Sequence, residues 1–306
     1  MKILIIGLGS IARKHITALR QILPQCVIYA LRSTKNPDQV DGVNDLFSFD
    51  DALLIKPDFI IISNPTHFHE ETIRKCLSMR CPLFIEKPIL ESTIHAQAII
   101  DEINTHQIYT YVACNLRFHP AINFLKNYIS NNSPRINEVN IYCGSYLPDW
   151  RVGKDFRKFY STMANMGGGA HLDLIHEIDY CTWLFGMPDK TNSLLRKSSS
   201  LHIDAVDFAS YHLFYNSFTA NIILNYYRKD SKREIEILTE DDTIKADLLN
   251  CNVISLNEKK ILFSQDYLIS ETYMSQMKYF IDHITNKLQP MNDVCEAIDV
   301  LKIALS

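Results

Sequence analysis

"KILIIGLGSIARKH", residues 2–15, begins with a lysine and four aliphatic residues, turns on two glycines, and continues with the apolar spacing of a helix. A continuous apolar run of strand length does not alternate because both of its faces are covered, as in a parallel sheet. The turn carries Gly7-x-Gly9-x-x-Ala12. Gly7 permits a tight turn, and Gly9 leaves bare backbone, so that a pyrophosphate can approach the helix terminus at Ser10 and Ile11. Ala12 is small enough for the helix to pack closely on the sheet. Any strand-to-helix turn can imitate this pattern, but its place in the first βα turn of the chain points to a dinucleotide.

The end of the second strand bears on which dinucleotide is bound. An acid there would hold the ribose 2′-hydroxyl of NAD, but "YALRSTKNP" places Arg32, Ser33 and Thr34 at that point. A guanidinium and two hydroxyls suit a 2′-phosphate, with no carboxylate in the stretch to repel it, so NADP is favoured over NAD. The plain alternative is a solvated loop arginine.

Further along, "DFIIIS" (58–63), "PLFIE" (82–86) and "IYTYVAC" (108–114) read as buried strands, with helical stretches at 69–79 and 92–106 between them. After residue 120 the rhythm changes. A helix near 120–130 and a strand near 137–146 lead to a polar, aromatic loop, and a helix is expected over 170–185. Six β-rich runs then follow between 208 and 264, the signature of a mostly antiparallel sheet, before two final helices over 271–286 and 292–305. The expected fold is α/β: a doubly wound Rossmann domain over 1–118, then an α/β domain with a large open sheet over 119–306. The last helices are free to pack back on the first domain.

The bulk composition sets limits. The 306 residues are 47% hydrophobic and 22% charged with a formal net charge of −4, the profile of a globular protein with no general attraction to nucleic acid or anionic lipid. The apolar runs are too short to span a bilayer, and the first residues make a poor signal peptide. Eight scattered cysteines without a C-x-x-C pair point to reduced thiols in a cytoplasm, with neither a disulfide framework nor a metal site.

Three more stretches complete the pattern: "SNPTHFHEE" (63–71), "EKP" (86–88) and "MGGGAHLDLIHEIDYCTWLFG" (166–186). In this order and spacing they resemble the Gfo/Idh/MocA family of sugar and polyol oxidoreductases along essentially the whole chain. The resemblance implies a reaction cleft between the two domains, with the open sheet often forming a homodimer or homotetramer. It also implies Asn64, Pro65, Thr66 and His69 beside the cofactor, Glu86 near the nicotinamide ribose, and Lys87 reaching the substrate hydroxyl, with a Lys87–Pro88 bond that is often cis. A charged Glu-Lys pair ending an inner strand is costly unless that edge faces a site, which is what the resemblance implies.

The implied chemistry is hydride transfer between nicotinamide and a carbinol carbon, so the protein has to manage one proton. Lys87 as ammonium stabilises a forming alkoxide, His176 is the proton acceptor suited to neutral pH, and Asp173 orients one of them or holds a neighbouring hydroxyl. Asp173 and His176 are three residues apart where the family commonly has four, which leaves Asp179 as a rival for the acidic role. Both spacings are expected to put the pair on one helix face. No metal ligand set is read, since the sequence has no H-x-x-x-H and no carboxylate cluster.

"NLRFHP" resembles a family stretch that places Asn115 and Arg117 at the cleft wall. The loop 146–160 adds Trp150, Arg151, Arg157 and Tyr160, which suit an anionic sugar by charge pairing and ring stacking. The plain alternative is a solvated basic loop; the resemblance implies a sugar substrate, with a nucleotide-linked sugar or sugar acid of surface polysaccharide synthesis as the sharper form. Two other readings are a non-catalytic NADP(H)-binding regulator and a glycosidase that uses bound NAD for a transient oxidation.

Overall fold

The computed structural model describes residues 1–33, 39–151 and 153–306. The chain divides into two compact units, Met1–Asn115 with Ser270–Leu301 and Leu116–Ile269 with Lys302–Ser306. Among the described residues no helix is long and apolar enough to cross a membrane, and all eight cysteines are free thiols.

The first unit is built on six parallel strands in the order β3-β2-β1-β4-β5-β6. They are β1 (Lys2–Ile6), β2 (Val27–Leu31), β3 (Val43–Leu46), β4 (Phe59–Ile62), β5 (Leu83–Ile85) and β6 (Thr110–Val112). Helices α1 (Ser10–Ile22), α2 (Phe49–Ile55), α3 (His69–Leu77) and α4 (Ala96–His106) connect them. β4 and β5 are apolar throughout, and β1 is so after its exposed Lys2, because both faces are covered, as their sequences require. The strand order reverses between β1 and β4, and ligands of such sheets bind at that switch point, beyond the carboxyl ends of the strands.

β3 and α2 were not foreseen. "VNDL" is short and half-buried at the sheet edge, so it lacks the apolar run that marks the inner strands. The opposite edge, β6, is blunted by Asn292. Its carbonyl accepts the Val112 N–H (2.9 Å), and its amide donates to the Val112 carbonyl (3.0 Å). Helix α8 (Ser270–Asn286) packs on α1, and its Phe280 meets Phe59 and Phe84 edge-on at 5.2 and 5.3 Å, completing this core.

The second unit carries an eight-stranded sheet ordered β14-β13-β12-β11-β7-β10-β9-β8, antiparallel except where β10 (Thr219–Asn225) runs parallel to β7 (Ile136–Tyr146). The remaining strands are β8 (Lys190–Arg196), β9 (Phe208–Phe214), β11 (Tyr227–Thr239), β12 (Thr243–Asp247), β13 (Asn252–Ser255) and β14 (Lys260–Ser264). Alternate residues such as Val139, Ile141, Ile222, Ile235 and Ile244 are buried under α5 (Pro120–Asn132), α6 (Ala170–Asp173) and α7 (His176–Phe185). The other face carries polar pairs among its alternate residues. Asn221 Nδ2 donates to Asn140 Oδ1 (3.0 Å), Asn140 Nδ2 donates to Glu138 Oε1 (2.8 Å), and Lys245 pairs with Glu234 (2.8 Å). A polar β8, "KTNSLLR", adds an edge strand with no apolar run to betray it.

One expectation fails outright. The single helix over 170–185 is two helices, broken at Leu174 and Ile175, with Asp173 ending α6 and His176 opening α7. Asp173 and His176 therefore do not share one face of a continuous helix.

Candidate active site

In the first unit the glycine loop follows β1. Gly7 has φ +84°, and a Cβ added there would lie 2.6 Å from Asn64 Cα and 2.7 Å from Asn64 N. The turn thus presses against the backbone that leaves β4, and Ser63 Oγ donates to the Gly7 carbonyl at 2.9 Å. Gly9 differs: it has extended backbone (φ −83°, ψ −166°), and nothing lies within 4 Å of where its Cβ would be. No side chain caps α1 and no acid sits in its first turn, so the N–H groups at Ser10 and Ile11 begin an uncapped helix while Ala12 is buried. Open space at Gly9 in front of a helix terminus fits the pyrophosphate of a dinucleotide.

Beside this loop, Pro65 is exposed and Thr66 is buried. Asn64 Nδ2 donates to Thr72 Oγ1 at 2.8 Å. His69 is buried with both ring nitrogens on carbonyls, Nδ1 3.1 Å from that of Ile89 and Nε2 2.9 Å from that of Asn64. Burial pulls its imidazole toward the neutral form and the carbonyls pull the other way; burial prevails. A neutral ring has one N–H, so His69 donates to one of these carbonyls and packs against the other, between the loops that follow β4 and β5, a use the sequence reading did not anticipate.

Glu86 ends β5. Burial alone would raise its carboxyl, but the hydrogen bond from His15 and the charge of Lys87 outweigh that, and the group is held below its ordinary 4.5. Lys87 is half-buried, and the Lys87–Pro88 bond is cis. Arg32 lies with Nη1 3.3 and 3.4 Å from the two carboxylate oxygens of Asp45 on β3. This corrects the expectation that no carboxylate stands near the 2′ position: β3, invisible in the sequence, brings one in. Ser33 is exposed, and Thr34 lies outside the described residues. Asn115 is buried and donates from Nδ2 to Thr272 Oγ1 (2.8 Å) on α8, which ties its side chain into the packing of this unit.

The second unit gathers a different cluster. Asp173 is buried and accepts from two tyrosines, Tyr226 OH at 2.6 Å and Tyr160 OH at 2.9 Å. Burial, then the Asp173 charge, pushes both phenols upward, so they stay protonated and donate. Trp150, 40% exposed, stands edge-on to Tyr226 at 5.4 Å and donates from Nε1 to Ser145 Oγ at 2.9 Å. Trp150, Tyr160 and Asp173 are thus brought together by Tyr226, which the sequence reading missed; its only signal was a doubled tyrosine at a strand end. The "GGG" run shapes this corner, for a Cβ on Gly168 would fall 2.2 Å from the Tyr160 carbonyl oxygen.

Other expected residues are used elsewhere. Arg117 is 1% exposed and makes two bonds to Asp179, Nε to Oδ2 at 3.1 Å and Nη2 to Oδ1 at 2.8 Å. Arg117 is thus an internal partner of Asp179, while Asp173 is the carboxylate beside the aromatic cluster. Arg151 and Arg157 are exposed and lie over the rings of Phe159 and Phe156 at 4.8 and 4.6 Å. His176 is half-buried at the start of α7. Among the described residues no group of three acids, histidines or cysteines could hold a metal ion.

Two family profiles match this chain. Residues 1–113 fit the one described as "Oxidoreductase family, NAD-binding Rossmann fold", and residues 133–245 fit the "GFO/IDH/MocA C-terminal domain". The chain belongs to the Gfo/Idh/MocA family. It is 24% identical over 209 residues to levoglucosan dehydrogenase of Pseudarthrobacter phenanthrenivorans, an alignment covering 62% of this chain and 53% of that protein. It is 26% identical over 222 residues to glucose-6-phosphate 3-dehydrogenase of Bacillus subtilis, covering 65% of this chain and 58% of that one. The chain spans about half the length of the curated relatives it matches. The crystal structure of the WlbA dehydrogenase from Bordetella pertussis, in complex with NADH and UDP-GlcNAcA, superposes with a TM-score of 0.82 at 16% identity, covering 99% of this chain and 94% of that one. That likeness establishes the shared fold.

Proposed function

We propose that this Gfo/Idh/MocA chain is an NAD(P)-dependent dehydrogenase that moves a hydride between nicotinamide and a carbinol carbon of a sugar, with an anionic or nucleotide-linked sugar as substrate. The observation that carries this reading is the open space at Gly9, in front of an uncapped helix at the switch point between β1 and β4. It is supported by Lys87 at the end of the next strand, β5. The dinucleotide supplies or accepts the hydride; this chain's residues hold the carbon in line and handle the hydroxyl proton.

Lys87 as ammonium steadies the oxygen as its proton leaves, and His176 accepts that proton. Asp173, holding Tyr160 and Tyr226, fixes an aromatic wall with Trp150 on which a sugar ring can stack. Arg151 and Arg157 offer positive charge for a phosphate or carboxylate, as a substrate such as glucose 6-phosphate would need. Arg32 favours NADP, though Asp45 offsets part of its charge. Assembly into a homodimer or homotetramer through the open face of the eight-stranded sheet belongs to the same reading, and light scattering checks it.

Thermal shift with NADP, NAD, neutral polyols, sugar phosphates, sugar acids and sugar nucleotides tests this reading. A dinucleotide should raise the melting temperature, and an anionic sugar should raise it further. Lys87→Met should keep the first response and lose turnover. Wild-type protein that ignores both dinucleotides, or that oxidises inositol and no anionic sugar, defeats the reading.

A further inference from the structure

His15 is wholly buried on α1, and neither the glycine loop nor the proton chemistry above uses it. Its Nε2 lies 2.6 Å from Glu86 Oε1, and its ring stands edge-on to Phe84 at 4.9 Å and Tyr273 at 6.2 Å. Its Nδ1 has no hydrogen-bond partner among the described residues. A buried imidazole–carboxylate pair is a poor way to gain stability, since apolar groups of the same volume do as well or better. What the pair does provide is geometry. The other carboxylate oxygen, Glu86 Oε2, accepts the Lys87 backbone N–H at 3.2 Å, while Glu86 N–H donates to the Ile62 carbonyl at 2.9 Å and so stays in the sheet.

One carboxylate therefore ties the helix that begins at the glycine loop to the backbone that presents Lys87. We propose that His15 is a positioning residue: through Glu86 it holds Lys87 in register with the dinucleotide loop. This rests on the dinucleotide reading given above. The apolar ring contacts hold the imidazole in one orientation and the short bond fixes the carboxylate, so drift of the lysine backbone breaks its 3.2 Å bond to Oε2. Misplacement of a reacting group by 1 Å costs about 100-fold in rate, which is the scale on which such a tie matters.

The test uses the full chain with two replacements. His15→Leu removes the donor to Glu86, whereas His15→Gln keeps an amide N–H close to the position of Nε2. The readout is the rate at which limiting acetic anhydride acylates Lys87, followed by mass spectrometry with and without saturating NADP, with binding checked by thermal shift. In the wild type NADP should slow the labelling at least about fivefold; in His15→Leu, still binding NADP, the slowing should fall below about twofold, and His15→Gln should restore it. Unchanged protection in His15→Leu, or equal loss in both variants, overturns the positioning role while leaving the dinucleotide reading intact. A wild type that binds no dinucleotide overturns both.

Discussion

The two glycines of the first loop make opposite predictions. At Gly7, φ is +84° and a Cβ would lie 2.6 Å from Asn64 Cα, a backbone atom that cannot swing aside. Gly7→Ala therefore incurs about 1–2 kcal/mol for the left-handed conformation and about 1–3 kcal/mol for overpacking. A total loss of about 2–5 kcal/mol is expected, read from urea unfolding midpoints, or as a fall of about 2–4 °C in melting temperature per kcal/mol. At Gly9 the backbone is extended and the Cβ would meet nothing within 4 Å, so Gly9→Ala should leave stability within about 0.5 kcal/mol of wild type. The same methyl would occupy the space assigned to the pyrophosphate. Gly9→Ala should thus lose dinucleotide affinity by at least about tenfold, or about 1.4 kcal/mol, in fluorescence titration. Full NADP affinity in Gly9→Ala would refute the assignment of that space, and a fully stable Gly7→Ala would refute the packing argument.

Three further outcomes are expected. The depressed carboxyl of Glu86 contributes stability that is present above its ordinary 4.5 and lost as pH falls through its lower folded value. Glu86→Gln should flatten that acid limb of the unfolding curve, and an unchanged limb would contradict the pair with His15. His119 and His171 are pushed down to about 4 by burial, the former donating from Nε2 to the Leu248 carbonyl and accepting the Ala121 N–H at Nδ1. Because the unfolded imidazoles protonate first, stability should be full above 6.5 and erode by on the order of 3 kcal/mol per histidine as pH falls toward 4. Histidine NMR should accordingly find both rings neutral at pH 5. Finally, Asp45→Asn should remove the carboxylate beside Arg32 and raise the ratio of NADP to NAD affinity by up to about fivefold, while Arg32→Ser should erase the preference; calorimetric titration measures both.

The signals legible in the chain were local. Four apolar residues before Gly7 and the spacing of Gly7, Gly9 and Ala12 announce a parallel sheet and its loop, because strand burial and turn geometry are properties of neighbouring residues. "EKP" and the "GGG" run became legible only through the resemblance of the whole series of motifs to the family. The edge strands "VNDL" and "KTNSLLR" were not, since an edge needs no apolar run, and the break at Leu174–Ile175 hid within a pattern that reads as one helix.

What only the tertiary structure decided is the partner of each charge. Arg117 meets Asp179 across 62 residues, His15 meets Glu86 across 71, and Tyr226 meets Asp173 across 53. A buried charge must find its counterpart in space, and the fold that brings distant strands and helices side by side selects it from many acids and bases in the chain. By itself the sequence determined the class of sheet, the glycine loop and the lysine at a strand end. Which carboxylate stands with the aromatic cluster, which arginine is spent inside the unit, and which acid tempers Arg32 depended on packing, because those choices lie between residues far apart along the chain.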